Sequence, residues 1–186
     1  MLLVNGSLVN TAVTVTNATL GGTGTINTPV TLQNGGVLAP GGSAVGTLTT
    51  GAETWNSGGA VVCKVASANN SADRDFLAIS GTLNLDALTT GVMTLKLVSM
   101  VNSNTPGQVP DFNAASSYVW TVCSATGLSS PGNFTNVVLD TTGFSNPHSG
   151  TFSLVPNLGA GTIEVHYSAT LTPPCLLYTS PSPRDS

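Results

Sequence analysis

The chain runs to 186 residues with 4 Lys+Arg and 8 Asp+Glu, or 6% charged, where an ordinary soluble domain carries roughly 25%. Its net charge is −4, and Lys64, Arg74 and Lys96 are scattered, so no basic stripe follows a phosphate backbone and a nucleic-acid partner is excluded. No apolar run reaches the ~18 residues of a membrane-spanning helix, so no membrane-spanning segment is expected.

Glycine is abundant, at 21 residues, and strong helix formers are few, so the chain should be almost free of α-helix. Thr and Val suit a pleated face, while Asn and Gly suit corners. Strand signals begin at once, with Leu2–Val4, Ser7–Val9 and Ala12–Thr16. The opening MLLVNGSLV lacks a basic n-region and is broken by Asn5 and Gly6, so it reads as a strand. On that reading the export signal of a secreted protein lies upstream. Residues 13–20, VTVTNATL, return as residues 30–37, VTLQNGGV, with an offset of 17 between Val13 and Val30. Each copy leads into a Gly-rich turn. A period near 20 residues, with strands separated by Asn/Gly corners, predicts a β-solenoid. One coil cannot bury its apolar face alone, but stacked coils satisfy one another's backbone groups. A β-sandwich also has short strands, but it would pair Val13–Thr16 with Val30–Gln33 antiparallel.

Further along, Glu53–Val65 reads as two strands around Ser57-Gly58-Gly59, and weak alternation in Ala60–Val65 predicts burial on both faces. Residues 67–75, SANNSADRD, form a polar loop with the densest charge in the chain. Strands resume at Thr82–Leu88 and Val92–Met100. After a Pro/Asn-containing loop over Asn102–Ala115, strands follow at Tyr118–Ser124, Phe134–Leu139, Gly150–Val155 and Thr162–Leu171. Aromatic residues are commoner in this half, as expected of a cap that closes the end of a stack.

Thr19-Leu20-Gly21-Gly22-Thr23-Gly24-Thr25-Ile26, Val30-Thr31-Leu32, Gly35-Gly36-Val37-Leu38-Ala39-Pro40-Gly41 and Gly46-Thr47-Leu48-Thr49 together resemble the autotransporter-associated β-strand repeat of bacterial passengers. Residues 75–85 and 2–8 resemble the segments that often follow and precede that repeat. The resemblance implies an all-β chain: a right-handed parallel β-helix over about residues 2–100, then a β-rich cap. The domain expectation is a solenoid over 1–104, a capping region over 105–174 and a separate tail over 175–186. The resemblance also implies a secreted or surface-displayed bacterial scaffold rather than an enzyme, tied to the outer membrane through a part of the protein outside this sequence. A surface glycan or a host or neighbouring-cell ligand is the kind of partner such a scaffold meets.

The tail CLLYTSPSPRDS, Cys175–Ser186, departs from all that precedes it. It resembles the conceptual translation of a sequencing-library adapter; a genuine Ser/Pro-rich linker is the alternative. With Cys175 set aside, Cys63 and Cys123 form either a disulfide or two small buried hydrophobes.

Chemistry is sparse. Asp73 and Asp75, two apart on an extended segment, would share a face as a calcium ligand set or an acid/base pair does, with Asn69 and Asn70 as extra oxygens. Arg74 between them argues instead for charge balance in a solvated loop, and Asp75 alone would cap the turn into Phe76–Ser80. Glu164 and His166 should form a solvent-facing row, with Ile163, Val165 and Tyr167 on the opposite face. No G-x-S-x-G elbow and no zinc spacing occur, so no catalytic, metal or cofactor residue is assigned. The alternative function is a carbohydrate-binding or carbohydrate-cleaving β-helix. It requires Trp55 or Trp120 exposed beside Asp73 or Glu164.

Overall fold

The structure, a computed structural model, describes residues 1–170. The Cys175–Ser186 tail lies outside the described residues. The chain winds through three sheets in rotation. β1 (Leu2–Leu3), β2 (Ser7–Leu8) and β3 (Val13–Val15) make the first coil, and β4 (Thr19–Gly22), β5 (Thr25–Ile26) and β6 (Val30–Leu32) the second. The third holds β7 (Val37–Pro40), β8 (Thr47–Thr50) and β9 (Glu53–Trp55), and the fourth β10 (Ala60–Val65), β11 (Phe76–Ile79) and β12 (Thr82–Asn84). The fifth runs from β13 (Met93–Asn102), past a small antiparallel partner β14 (Thr105–Pro106), to β15 (Tyr118–Ser124) and β16 (Gly127–Ser129). β17 (Val137–Gly143) opens a sixth turn on top of β13.

The first sheet is β1-β4-β7-β10-β13-β17, the second β2-β5-β8-β11-β15 and the third β3-β6-β9-β12-β16, each parallel throughout. This is a three-faced parallel β-solenoid, all-β as expected, with only two short 3-10 turns as helix among the described residues. Val13, Thr14 and Val15 pair with Val30, Thr31 and Leu32 in parallel, which rules out the sandwich.

Each inward position becomes a column of stacked side chains. Leu2, Leu20, Leu38, Val61, Leu95 and Leu139 succeed one another down the first sheet. Leu20, Leu38, Val61 and Leu95 are all buried, each stabilising the fold by about 1.5–3 kcal/mol. Leu48, Leu77 and Cys123 form a matching column in the second sheet.

The 17-residue offset holds in the third sheet but becomes 18 in the first, where Leu20 pairs with Leu38 rather than Val37. The additional residue sits in the corner at Asn34-Gly35-Gly36, where Gly35 has φ +71° and a Cβ would overlap the Asn17 amide oxygen. Gly58 and Gly91 repeat the left-handed corner one and two coils on, against Asn34 and Ser57. Only a residue without Cβ turns the chain there at this coil spacing.

Later coils lengthen: Leu38 to Val61 spans 23 residues, Val61 to Leu95 34 and Leu95 to Leu139 44. Much of the addition is looped out between the first and second sheets. The loop over 66–75 is tied to the loop over 103–117 by Asp111, which accepts hydrogen bonds from the Ser67 hydroxyl and the Ala68 and Asn69 amides. Asn146, in the next loop, bonds both ways with the Val109 backbone. Beneath these loops Phe112, Tyr118, Trp120, Phe144, Phe152 and Tyr167 pack ring on ring, with Phe112 centred 5.1 Å from both Phe144 and Tyr167.

Parallel stacking runs on through β15, β16 and β17. Antiparallel pairing takes over in β18 (Thr151–Asn157) and β19 (Thr162–Ser168), which extend the second sheet in the order β15-β19-β18. Three local expectations change. β12 ends at Asn84 instead of running to Leu88, because the Asn84 side chain accepts from the Asp86 amide and turns the chain. Phe134 lies in a 3-10 turn, Pro131–Asn136, that delivers the chain to β17, and the loop after Asn102 contains β14.

Candidate functional site

The fourth coil carries the chemistry. Ala60–Val65 is almost wholly buried, as its weak alternation predicted, because the 66–75 loop folds back over its end. Ala66 N donates to Asp73 O and Asp75 N to Lys64 O, so residues 73–75 run antiparallel to residues 64–66. That return brings Asp75 against Lys64. The ammonium donates to Asp75 Oδ2 at 2.5 Å and to Pro40 O at 2.8 Å, while the Lys64 and Gly46 amides donate to the same carboxylate at 3.0 Å each. Burial pushes Asp75 up to about 7, against the pull of the ammonium and the two backbone donors.

Asp73 and Asp75 are therefore not a pair, contrary to the alternation reading. Ser71–Asp73 is a 3-10 turn capped by Asn70, not an extended segment, and Asp73 accepts from Asn70 Nδ2 at 2.6 Å. Asn69 donates to Asp111. The four groups offered as a ligand set go three ways, Asn70 with Asp73, Asn69 to Asp111 and Asp75 to Lys64, and among the described residues no cluster of three or more His, Cys, Asp or Glu has metal-binding geometry. Nor does Asp75 cap its own turn: it clamps the preceding coil at Gly46 and its own coil at Lys64.

Arg74 balances neither neighbour. It lines a cleft of about 390 Å³ on the outer side of the second sheet, together with Thr47, Ser71, Ala72, Asp75, Phe76, Val119 and Thr121. Its Nε is the one buried side-chain nitrogen or oxygen among the described residues without a hydrogen-bond partner. Burial lowers the guanidinium's pKa and the Asp111 carboxylate partly restores it, but a guanidinium stays charged at any ordinary pH. Beside the cleft, Thr121 pairs with Glu164 and Val119 with His166 across β15 and β19. Glu164 and His166 do share the outer face, 2.9 Å apart, while Ile163, Val165 and Tyr167 are buried. The hydrogen bond from His166 holds the Glu164 carboxyl below its usual range.

A second polar group lies inside the core and was not singled out in the sequence. Glu53 occupies the column Val13, Val30, Glu53, Leu83, and Thr50 the column Leu8, Ile26, Thr50, Ile79. Both are inward and fully enclosed, and they meet: Thr50 Oγ1 lies 2.8 Å from Glu53 Oε1, and Trp55 Nε1 donates to Oε2 at 2.7 Å. Burial pushes Glu53 up to about 7, the two hydrogen bonds pulling the other way. The signal available was positional: a glutamate at the register of Val30.

Cys63 and Cys123 are free, buried thiols, each in an apolar column, so of the two readings the pair of small buried hydrophobes is the one found and the disulfide is not formed. Burial pushes both thiols well up, which makes them poor nucleophiles. Trp55 and Trp120 are both fully buried. Trp120 donates to Ala68 O from within the aromatic cluster and Trp55 to Glu53, so neither presents a face to a sugar. His148 leans edge-on against Phe152 and Phe144, with Nδ1 at 2.8 Å from Asn146 O. No helix of the described residues is long and apolar enough to cross a membrane. No protein-family model and no curated protein matches the chain.

Proposed function

We propose that this chain is part of a β-helical stalk or scaffold of the kind bacteria secrete or display at the cell surface. The observation that carries this reading is the unbroken parallel stacking of three sheets, with the same corner chemistry recurring from Asn17-Ala18 to Gly35, Gly58 and Gly91. Such a fold lengthens by adding coils without redesigning the core, and each coil rests on the one before it. A charge-poor chain able to fold coil by coil suits passage through an outer-membrane pore in an extended state. The resemblance of residues 2–100 to the autotransporter-associated repeat points the same way. The burial of both tryptophans weighs against the sugar-groove alternative.

The test is display. The 186-residue chain is placed between a cleavable export signal and an outer-membrane barrel in a Gram-negative host, and intact cells are probed with an impermeant antibody and with protease. Surface labelling equal to that of a known passenger is the expected result. Accumulation inside the cell, with the barrel assembled and empty, would count against the reading.

A further inference from the structure

We propose that the Arg74 cleft binds a small hydroxylated monocarboxylate, of the sugar-acid kind, through the Arg74 guanidinium and the hydroxyls of Thr47, Ser71 and Thr121. This goes beyond the scaffold reading and stands or falls separately from it.

The Arg74 guanidinium is out of balance with its surroundings. Polar groups buried in native proteins find partners with few exceptions, and here every other buried side-chain nitrogen and oxygen among the described residues does so. Even Lys64, far deeper, meets a carboxylate and a carbonyl. Arg74 lines a cleft, and its Nε, enclosed behind the wall, meets none. Leaving such a donor unsatisfied costs about 1–3 kcal/mol. Three aspartates lie close in sequence or space, and each is committed elsewhere: Asp73 to Asn70, Asp75 to Lys64 and Gly46, Asp111 to Ser67, Ala68 and Asn69. The 64–66/73–75 ladder thus holds Arg74 with no carboxylate on its guanidinium, and the terminal Nη1/Nη2 edge of its planar fork, rather than the enclosed Nε, is what a ligand in the cleft reaches. Such a fork matches a carboxylate in two parallel hydrogen bonds.

The rest of the lining narrows the ligand. Three hydroxyls from three elements, β8, the 3-10 turn and β15, suit a polyol. Phe76 and Val119 supply an apolar wall for its carbon skeleton. The volume, about 390 Å³, is near the lower end of the roughly 300–1,000 Å³ range of ligand clefts, which fits one small molecule rather than a chain. A single cation also selects the charge. Asp75 lines the cleft too, but its carboxylate is enclosed and paired with Lys64, so with no second cation at the wall one guanidinium balances a monoanion and leaves a phosphate dianion half compensated.

The experiment titrates the full chain with D-gluconate by isothermal calorimetry or NMR, with sorbitol, acetate and inorganic phosphate as matched probes. Gluconate is expected to bind with Kd of about 1 mM, and each of the other three at least tenfold more weakly. Arg74→Met, which keeps the apolar stem, should abolish gluconate binding with the circular dichroism spectrum unchanged. Arg74→Lys keeps the charge but loses the planar fork, and should weaken binding about tenfold; Thr121→Val should weaken it severalfold. Equal binding of sorbitol or acetate, tighter binding of phosphate, or no binding of gluconate at about 10 mM would each overturn the proposal. If Arg74→Met fails to fold, unchanged affinity in both Arg74→Lys and Thr121→Val overturns it, and loss in both supports it.

Discussion

Replacing Glu53 by Gln should stabilise the protein in a pH-dependent way. The carboxyl is fully enclosed among the columns of the third coil, and burial pushes it from its ordinary 4.5 up to about 7. Between those two values the native state holds a proton that the unfolded chain has lost. Stability therefore falls as pH rises from about 4.5 to 7, and the loss is complete above 7. A displacement of this size corresponds to about 3 kcal/mol. The hydrogen bonds explain why Gln is the right probe. Trp55 Nε1 can only donate, so it fixes Oε2 as an acceptor, while the Thr50 hydroxyl donates to Oε1 of the carboxylate and turns to accept from Oε1–H once the carboxyl is protonated. An amide reproduces that pattern, its oxygen facing Trp55 and its NH2 facing Thr50, but does not ionise.

Denaturant unfolding followed by tryptophan fluorescence at pH 4 and pH 8 measures the effect. Glu53→Gln should match the parent at pH 4 and exceed it by about 3 kcal/mol at pH 8. For a chain of this size that is a rise in Tm of roughly 6–12 °C. Taking the difference between variant and parent removes the contribution of Asp75, which changes in the same direction. Glu53→Leu would match the neighbours Val30 and Leu83 but would orphan the indole N–H. It should therefore gain less than Gln by about 1–3 kcal/mol. A Gln variant no more stable than the parent at pH 8 would refute the reasoning, since it would mean that the buried carboxylate costs nothing.

Lys64→Met leaves the Asp75 carboxylate buried with only its backbone donors and should cost about 3–5 kcal/mol at pH 8, most of it recovered in Lys64→Met/Asp75→Asn; a single variant within about 0.5 kcal/mol of the parent would show the pair to be dispensable. In the chain truncated at residue 174, native Cys63 and Cys123 should resist a thiol reagent and both react once unfolded without reductant, whereas a disulfide would leave neither thiol to react.

What was legible in the sequence was whatever the solenoid repeats. Val13-Thr14-Val15 and Val30-Thr31-Leu32 carry the same inward pattern and the same Asn corner, so strand, register and sheet could be read directly. The parity of the 162–168 segment likewise separated Glu164 and His166 from Ile163, Val165 and Tyr167. Legibility failed where one coil departs from the others. In the first sheet, the residue added at the Gly35 corner moved the partner of Leu20 from Val37 to Leu38, and a left-handed glycine inside an Asn-Gly-Gly run does not declare which of its neighbours it displaces. The loop over 66–75 failed for a different reason. Its charges are adjacent in sequence, so they read as one another's partners, yet the backbone ladder from Lys64 to Asp75 turns successive side chains to opposite sides. Asp75 goes inward to Lys64, eleven residues back in the chain and one strand away, and Arg74 is left facing outward without a carboxylate.

That alternation connects the repeat to the site. A solenoid coil tolerates a long excursion only if the excursion returns in register, and the 66–75 loop returns by clamping Asp75 to Lys64 in its own coil and to Gly46 in the coil before. The clamp fixes the parity of residue 74. Any side chain at that position is directed to the outer face of the second sheet, beside Thr47 and Thr121. The buried ion pair is thus the device that aims Arg74, and loosening it should disturb the cleft before it disturbs the columns of the core.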